Sequence, residues 1–410
     1  MTGVKRNLEA KLKDLLNHFP AIVVLGARQV GKTTLAKQIA STWHYFDLEK
    51  PSHFEQISHD PEFFFEQYPK HIVLDEAQFY PTIFNVLRGE IDKFPNLNKR
   101  FILTGSSSPD MLKHVSESLA GRVALQELGT LKVNEYAGKA LSSFYRIFES
   151  PLNKKELQFA KPPLTLDQVC DVWFKGGYPK ASLSTSHAFY LEWMENYFNT
   201  YINRDIASLF PKLNKLAYQR FITMLGHLSG TIINRSNIAR AIEVSEPTVR
   251  EYLTIAEGSY LWRQLHSYEN NVTKSIVKMP KGHLQDTGLL HYLLKIQNID
   301  ALYSHPVVGR SFEGFVIEEI IKGLQASPIT NWQTFYYRTR NGAEIDLILK
   351  GPFGVLPIEI KYGANTPLKD LRSLKEFIKE HDLPFGLLIN QSSEGKWLTK
   401  EIFQLPCGWL

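Results

Sequence analysis

Gly26, Gly31, Lys32 and Thr33 fall in the spacing G-x-x-x-x-G-K-[ST], an order of residue types suited to cradling a polyphosphate. The glycines let successive backbone N–H groups curl around phosphate oxygens. The lysine reaches the outer phosphates and the hydroxyl after it ligates magnesium. The expected contact segment runs through Gly26, Ala27, Arg28, Gln29, Val30, Gly31, Lys32, Thr33 and Thr34, with Arg28 either on a phosphate or turned to solvent. Asp75 and Glu76, within His71-Ile-Val-Leu-Asp-Glu-Ala-Gln78, supply the two carboxylates that ATP chemistry requires. Asp75 is expected to hold magnesium through its water shell. Glu76 is expected to orient and deprotonate the attacking water, which favours hydrolysis over binding alone. Thr104 or Ser106, ending Arg100-Phe-Ile-Leu-Thr-Gly-Ser106, is placed to sense the γ-phosphate or that water, unless the segment is a plain turn. Arg122 is either a solvated surface residue or a group that neutralises charge in a neighbouring subunit's site, which would make the protein a homo-oligomer.

A second constellation lies near the other end. Glu359 and Lys361 are two apart, so on a strand they share one face while Ile358 and Ile360 take the other. Asp346 sits about a dozen residues earlier on an adjoining strand, and Glu313 sits on the helix before it. An Asp, then Glu-x-Lys, with a Glu on the preceding helix is the layout of a PD-(D/E)xK nuclease core. There Asp346, Glu359 and Glu313 would hold a second divalent metal that polarises a phosphodiester, and Lys361 would position water or stabilise developing charge. Chance alternation on a half-exposed strand is the competing explanation.

These residues need elements to hold them. Ala21–Leu25 is a β-branched apolar run expected as a strand buried on both faces, and Thr34–Ala40 is helix-forming. Ile72–Leu74 is an apolar strand that delivers Asp75 and Glu76 to its carboxyl end, where open α/β sheets bind ligands. Further on, Ser311–Ala326 carries an apolar helical stripe of Phe312, Phe315, Val316, Ile320 and Leu324. Thr334–Tyr337 and Ala343–Leu349 read as strands around an Asn341-Gly342 turn. Leu356–Lys361 reads as a third strand, Leu368–His381 as a helix and Phe385–Ile389 as a buried strand.

The segments GARQVGKTTL, HIVLDEAQ, FILTGSSS and SLAGRV, with YFDLEKP from Tyr45 to Pro51, resemble the AAA+ -type P-loop ATPases of bacteria and archaea that carry a C-terminal domain of unknown function. That resemblance implies that Gly31, Lys32, Thr33, Asp75 and Glu76 are nucleotide-site residues, and that the last domain has a restriction-endonuclease-like fold. Ala27 departs from it, standing where the family often has proline.

The rest of the chain is less specific. Residues from Asn134 to Tyr201 are helical in pattern, with breaks at Pro162, Pro163 and Gly176-Gly177-Tyr178-Pro179. The stripe of Tyr190, Trp193, Tyr197 and Tyr201 at helical spacing reads as core. Arg235–Ile242 and a helix capped by Ser245, followed by strand-like Tyr260–Leu265, suggest a winged helix-turn-helix. In it Thr248, Arg250 and Glu246 would face a DNA groove, with Lys274, Lys278 and Lys281 as basic companions in the wing. The acidic Glu243, Glu246 and Glu251 weaken that reading, since winged helices also serve as protein–protein spacers.

At 410 residues the chain is too long for one core and predicts about two to four domains. A net charge of +5 permits nucleic-acid contact without demanding it, and two distant cysteines match no metal-ligand spacing. There is no secretory pattern and no apolar run approaching the roughly 20 residues of a membrane helix, so a cytoplasmic protein without membrane association is expected. The expected α/β architecture is a P-loop AAA+ ATPase domain over 1–135, a helical lid over 136–230, a winged helix over 231–298 and a nuclease-like domain over 299–410. The expected function is magnesium-dependent ATP hydrolysis coupled to DNA binding, with DNA cleavage a further step. The alternative is an ATP-dependent switch or scaffold for protein partners whose nuclease-like domain does not cut. A small-molecule kinase is disfavoured because Glu76 suits water activation.

Overall fold

Apolar runs with no polar alternation have no face to give to water, so they fold as strands covered on both sides. In the computed structural model, β1 (Ala21–Gly26) is buried along its whole length. With β2 (His44–Asp47), β3 (Ile72–Asp75), β4 (Phe101–Ser106) and β5 (Val123–Glu127) it makes a five-stranded sheet of order β2-β3-β4-β1-β5, parallel at every pairing. The structure describes residues 3–106, 117–206, 209–269, 278–339 and 342–410.

The chain divides into two units, residues 1–131 with 254–260, and residues 132–253 with 261–410. In the first, helices Pro51–Ser58 and Pro61–Gln67 both start on proline, whose missing N–H costs nothing in the opening turn. Asp60 caps the second of them by accepting from the Phe63 N–H at 3.0 Å. Val23, Leu25, Leu74, Leu103, Phe84 and Leu87 form the core, all but excluded from water.

The second unit is organised by a nine-stranded mixed sheet. Its strands are β6 (Thr231–Ile232), β7 (Trp262–Ser267), β8 (Lys281–Leu284), β9 (Gln333–Arg338), β10 (Glu344–Gly351), β11 (Gly354–Ile360), β12 (Gly386–Asn390), β13 (Lys396–Trp397) and β14 (Ile402–Pro406). The order is β13-β14-β12-β11-β10-β9-β7-β8-β6. Apart from residues 254–260, which group with the first unit, the three stretches expected as separate modules after residue 135 fall within this one unit. The reason is an edge pairing: β7 lies parallel to β9 through His266↔Phe335 and Ser267↔Tyr336, so one sheet runs through the boundary expected at 298/299. Helices Arg235–Ala241 and Glu246–Gly258 precede the antiparallel pair β7 and β8. β9 and β10 are antiparallel on either side of the expected turn, of which Asn341 lies outside the described residues.

The aromatic stripe is core, with Tyr190, Tyr197 and Tyr201 all buried and Tyr178 Oη 2.7 Å from Tyr197 Oη. Helix Val308–Ala326 buries its apolar stripe as expected, and it also buries two charged residues, Glu318 and Glu319. Glu318 accepts from Arg263 Nε at 2.5 Å and lies 2.8 Å from His283 Nε2, which fastens β7 and β8 to the helix. Burial alone would push the Glu318 carboxyl up, but Arg263 and His283 outweigh it and hold it at about 2. Glu319 pairs with Lys132 at 3.1 Å, each side chain 1% exposed.

Candidate functional site

The first site forms where β1, β3 and β4 end. Gly26 leaves β1 at φ 157°, and a Cβ there would meet Leu128 O at 2.2 Å, so no other residue fits the position. Two left-handed residues, Gln29 at φ 67° and Gly31 at φ 97°, curl the loop before helix Lys32–Ile39 begins. Lys32 is 5% exposed and donates to the carbonyls of Gly26 and Ala27 at 3.0 and 2.9 Å, which folds its ammonium over the loop. Thr33 Oγ1 donates to Asp75 Oδ2 at 2.8 Å, bringing together the hydroxyl and the carboxylate expected to share magnesium. Hence these two side chains fit a hard, oxygen-seeking cation.

Asp75 is more heavily partnered than the sequence reading anticipated. Tyr45 Oη donates to Oδ2 at 2.5 Å, and Thr104 Oγ1 donates to Oδ1. Burial and the Asp75 charge push the Tyr45 phenol far above its ordinary value. Glu76 holds φ 55°, a left-handed conformation that costs a residue with a Cβ and is typical of functional positions. Its Oε2 accepts from Gln78 Nε2. Arg6, 6% exposed, braces the loop from below by donating to Val30 O at 2.8 Å and Gly129 O at 2.7 Å.

Of the other expected nucleotide contacts, Ala27 and Val30 are buried in the loop, Arg28 is half-buried, and Gln29 and Thr34 are exposed. The Ser106 backbone pairs with Gly26 across β1 and β4, and its side chain lies outside the described residues. Arg122 forks onto Asp92, with Nε to Oδ1 at 2.7 Å and Nη2 to Oδ2 at 2.9 Å. Tyr45 and Arg6 thus join the site, and Thr104, one of the two expected sensors, meets the Asp75 carboxylate. Tyr45 was legible only as part of a strand, because its reach to Asp75 follows from β2 lying beside β3.

The second constellation also converges. Asp346 lies where the β9–β10 register slips between Ile345 and Ile348, a bulge that re-aims the side chain. Its Oδ2 accepts from the Ile360 N–H at 2.8 Å, tying β10 to the end of β11. Glu359 Oε1 pairs with Lys361 Nζ at 2.5 Å. Burial and the Asp346 charge push the Glu359 and Glu313 carboxyls up to about 8. Lys361 moves up as well: burial opposes this, and Asp346 and Glu359 outweigh it.

A residue from outside the expected set completes the cluster. Lys281 Nζ stands 2.6 Å from Glu313 Oε1, 3.0 Å from Glu344 Oε1 and 3.7 Å from Asp346 Oδ1, and the residue is 4% exposed. Among the described residues no group of three or more His, Cys, Asp or Glu side chains is arranged to hold a metal ion. The second divalent metal therefore does not fit the cluster in this arrangement, where an ammonium stands among the carboxylates. Glu344 was recoverable from the sequence, being two residues from Asp346; Lys281 was not.

The same contact corrects the reading of the wing. Lys281 is buried in ion pairs and is no basic companion on a DNA-facing surface. Lys278 is paired with Glu269, and Lys274 lies outside the described residues. On the second helix Glu246 is 3.6 Å from Arg235, while Arg250 is exposed and Thr248 half-buried. No helix among the described residues is long and apolar enough to cross a membrane.

A family profile described as an AAA domain matches residues 18–137, and two described as domains of unknown function match residues 166–300 and 308–410. The Walker-type ATPase PabY2304 of Pyrococcus abyssi is similar at 16% identity and a TM-score of 0.40, over 70% of this chain and 94% of that one. The Thermotoga maritima RuvB Holliday junction branch migration motor is similar at 16% identity and a TM-score of 0.30, over 63% and 88%. Among curated proteins, the uncharacterized proteins Rv2008c of Mycobacterium tuberculosis and Mb2031c of Mycobacterium bovis are each 32% identical over 368 residues, covering 88% of this chain and 75% of theirs. With this similarity across most of both chains, the chain belongs to the same family as these two mycobacterial proteins, and it carries an AAA domain, that of P-loop ATPases, at residues 18–137.

Proposed function

We propose that the protein is a magnesium-dependent ATP hydrolase whose nucleotide state is coupled to DNA binding by its second unit. The observation that carries the first part is the contact of Thr33 Oγ1 with Asp75 at the mouth of the glycine loop. Backbone N–H groups between Gly26 and Thr33 would wrap the phosphates, with Lys32 turning from the loop carbonyls to the outer phosphates. Thr33 and Asp75 would hold magnesium, which neutralises phosphate charge when bound. Glu76 would take the proton of the attacking water, and Thr104 and Tyr45 keep the Asp75 carboxylate in place.

The test is Glu76→Gln, which keeps the shape and removes the base. It is expected to bind ATP with unchanged affinity and to turn it over about a hundredfold more slowly or worse, as for loss of a general base. Unchanged phosphate release would remove Glu76 from the chemistry. In a homo-oligomer Arg122 would serve a neighbouring site only after leaving Asp92.

DNA binding is supported by the helix pair followed by β7 and β8, the element order of a winged helix. Retention of duplex DNA on a filter is expected to fall steeply with salt as counterions return, and to differ between ATP- and ADP-bound protein. Absence of retention even at low salt would leave the second reading, a cytoplasmic ATP-driven switch for protein partners. The burial of Lys281 among the carboxylates favours a domain that does not cleave in either case.

A further inference from the structure

Buried carboxylates need positive charge or protons, because an isolated ionised group in a protein interior is too costly. The cluster joins three largely buried carboxylates, Glu313, Asp346 and Glu359, to the half-exposed Glu344, with Lys281 and Lys361 as the ammonium groups paired to them. Lys361 pairs directly with Glu359, and Lys281 stands nearest to the other three. Glu359 Oε2 is buried and has no hydrogen-bond partner among the described residues, so the site has coordinating capacity that the two lysines do not use.

Lys281 reaches this place from a distant part of the chain. It opens β8, whose partner β7 lies beside β9, and β9 pairs with the strand that carries Glu344 and Asp346. The sheet order therefore aims a lysine from the 281–284 segment at carboxylates on β10 and on helix Val308–Ala326. Its separations of 2.6 and 3.0 Å from Glu313 and Glu344 are those of charge-assisted N–H···O bonds, donated from the middle of the cluster.

We propose that Lys281 is the resident cation of this cluster, a tethered ammonium standing where a divalent ion would otherwise sit, so that the wild-type chain takes up no divalent metal there and acquires that capacity once the lysine is neutralised. The inference is independent of ATP hydrolysis and deepens the non-cleaving reading of the second unit. It also gives Lys281 a positioning role, since the same contacts fix the first residue of β8 against β10.

The experiment uses the full chain without nucleotide and Mn2+ as the probe, following loss of the free aquo-ion signal by electron paramagnetic resonance. Lys281→Met is expected to bind one Mn2+ at least about tenfold more tightly than any site in the wild type, and Mn2+ is expected to raise its melting temperature by ligand linkage. Adding Asp346→Asn to Lys281→Met should abolish both effects, while Lys281→Arg, which keeps the cation, should take up no Mn2+ beyond that bound by the wild type. Two results would overturn the proposal. One is a wild-type Mn2+ site lost in Asp346→Asn and no tighter in Lys281→Met. The other is a Lys281→Met protein that stays unfolded in millimolar Mn2+, since ammonium and metal would then not be interchangeable. Any Mn2+ bound at Thr33 and Asp75 is common to all five proteins, so failure of the ATPase reading leaves this comparison intact.

Discussion

Lys32→Ala lowers ATP turnover by at least about a hundredfold, the loss typical of removing one charge-stabilising donor from a transition state. The ammonium is already buried at the loop and held by the carbonyls of Gly26 and Ala27, so no other cation needs to move far to be missed. Phosphate release under saturating magnesium and ATP measures it, beside nucleotide affinity from a fluorescent analogue. Because Lys32 also braces the loop, a melting curve must show the variant folded, and Lys32→Arg serves as a second probe that keeps the charge but not the reach. Turnover within about threefold of wild type in both variants would place the chemistry elsewhere.

The second large effect concerns stability. Glu319→Ala removes the carboxylate that faces Lys132 and leaves that ammonium inside the second unit, where it also donates to Tyr145 Oη and to the Glu319 carbonyl. Breaking one side of a buried pair in this way costs about 3–5 kcal/mol. Burial alone would push the Glu319 carboxyl up, yet Lys132 and Lys322 hold it below its ordinary value, so the charged form is the one that matters. Urea unfolding followed by the fluorescence of the buried Trp173 and Trp262 reports this unit. Lys132→Met together with Glu319→Leu should lose less than Glu319→Ala, because the fully buried Lys132 ammonium is no longer stranded and only Lys322 loses a partner. A change under about half a kcal/mol in Glu319→Ala would mean that the pair contributes nothing net.

What the sequence made legible was what lies close along the chain. Gly26 to Thr34 is continuous, and strand, turn and helix follow one another within it, so residue types alone reveal the loop. Asp75 could be placed because an apolar strand ending in Asp-Glu has one natural destination at the sheet's carboxyl edge. Glu359 and Lys361 were readable from period-two alternation. The contacts of Tyr45, Thr104 and Arg6 depend on which strands become neighbours, and strand order is not written in any local pattern. Lys281 is the extreme case. In isolation it belongs to a basic run, KMPK, and suggests a solvent-facing wing; only the pairing of β7 with β9 turns it into the core. Glu318 and Glu319 were hidden differently, as acidic residues within a helix whose apolar stripe was otherwise correctly read.

One consequence of that pairing is mechanical. Tyr268 N–H donates to Tyr336 O at 2.6 Å and Tyr336 Oη to Met279 O at 2.7 Å, stitching the segment after β7 to the ladder that leads to β14. A force applied to the β7–β8 ribbon would be borne by backbone hydrogen bonds instead of being absorbed in a flexible joint. Within this unit, then, Trp262 and Asp346 lie on strands of one hydrogen-bonded sheet, with β9 as the shared neighbour between them.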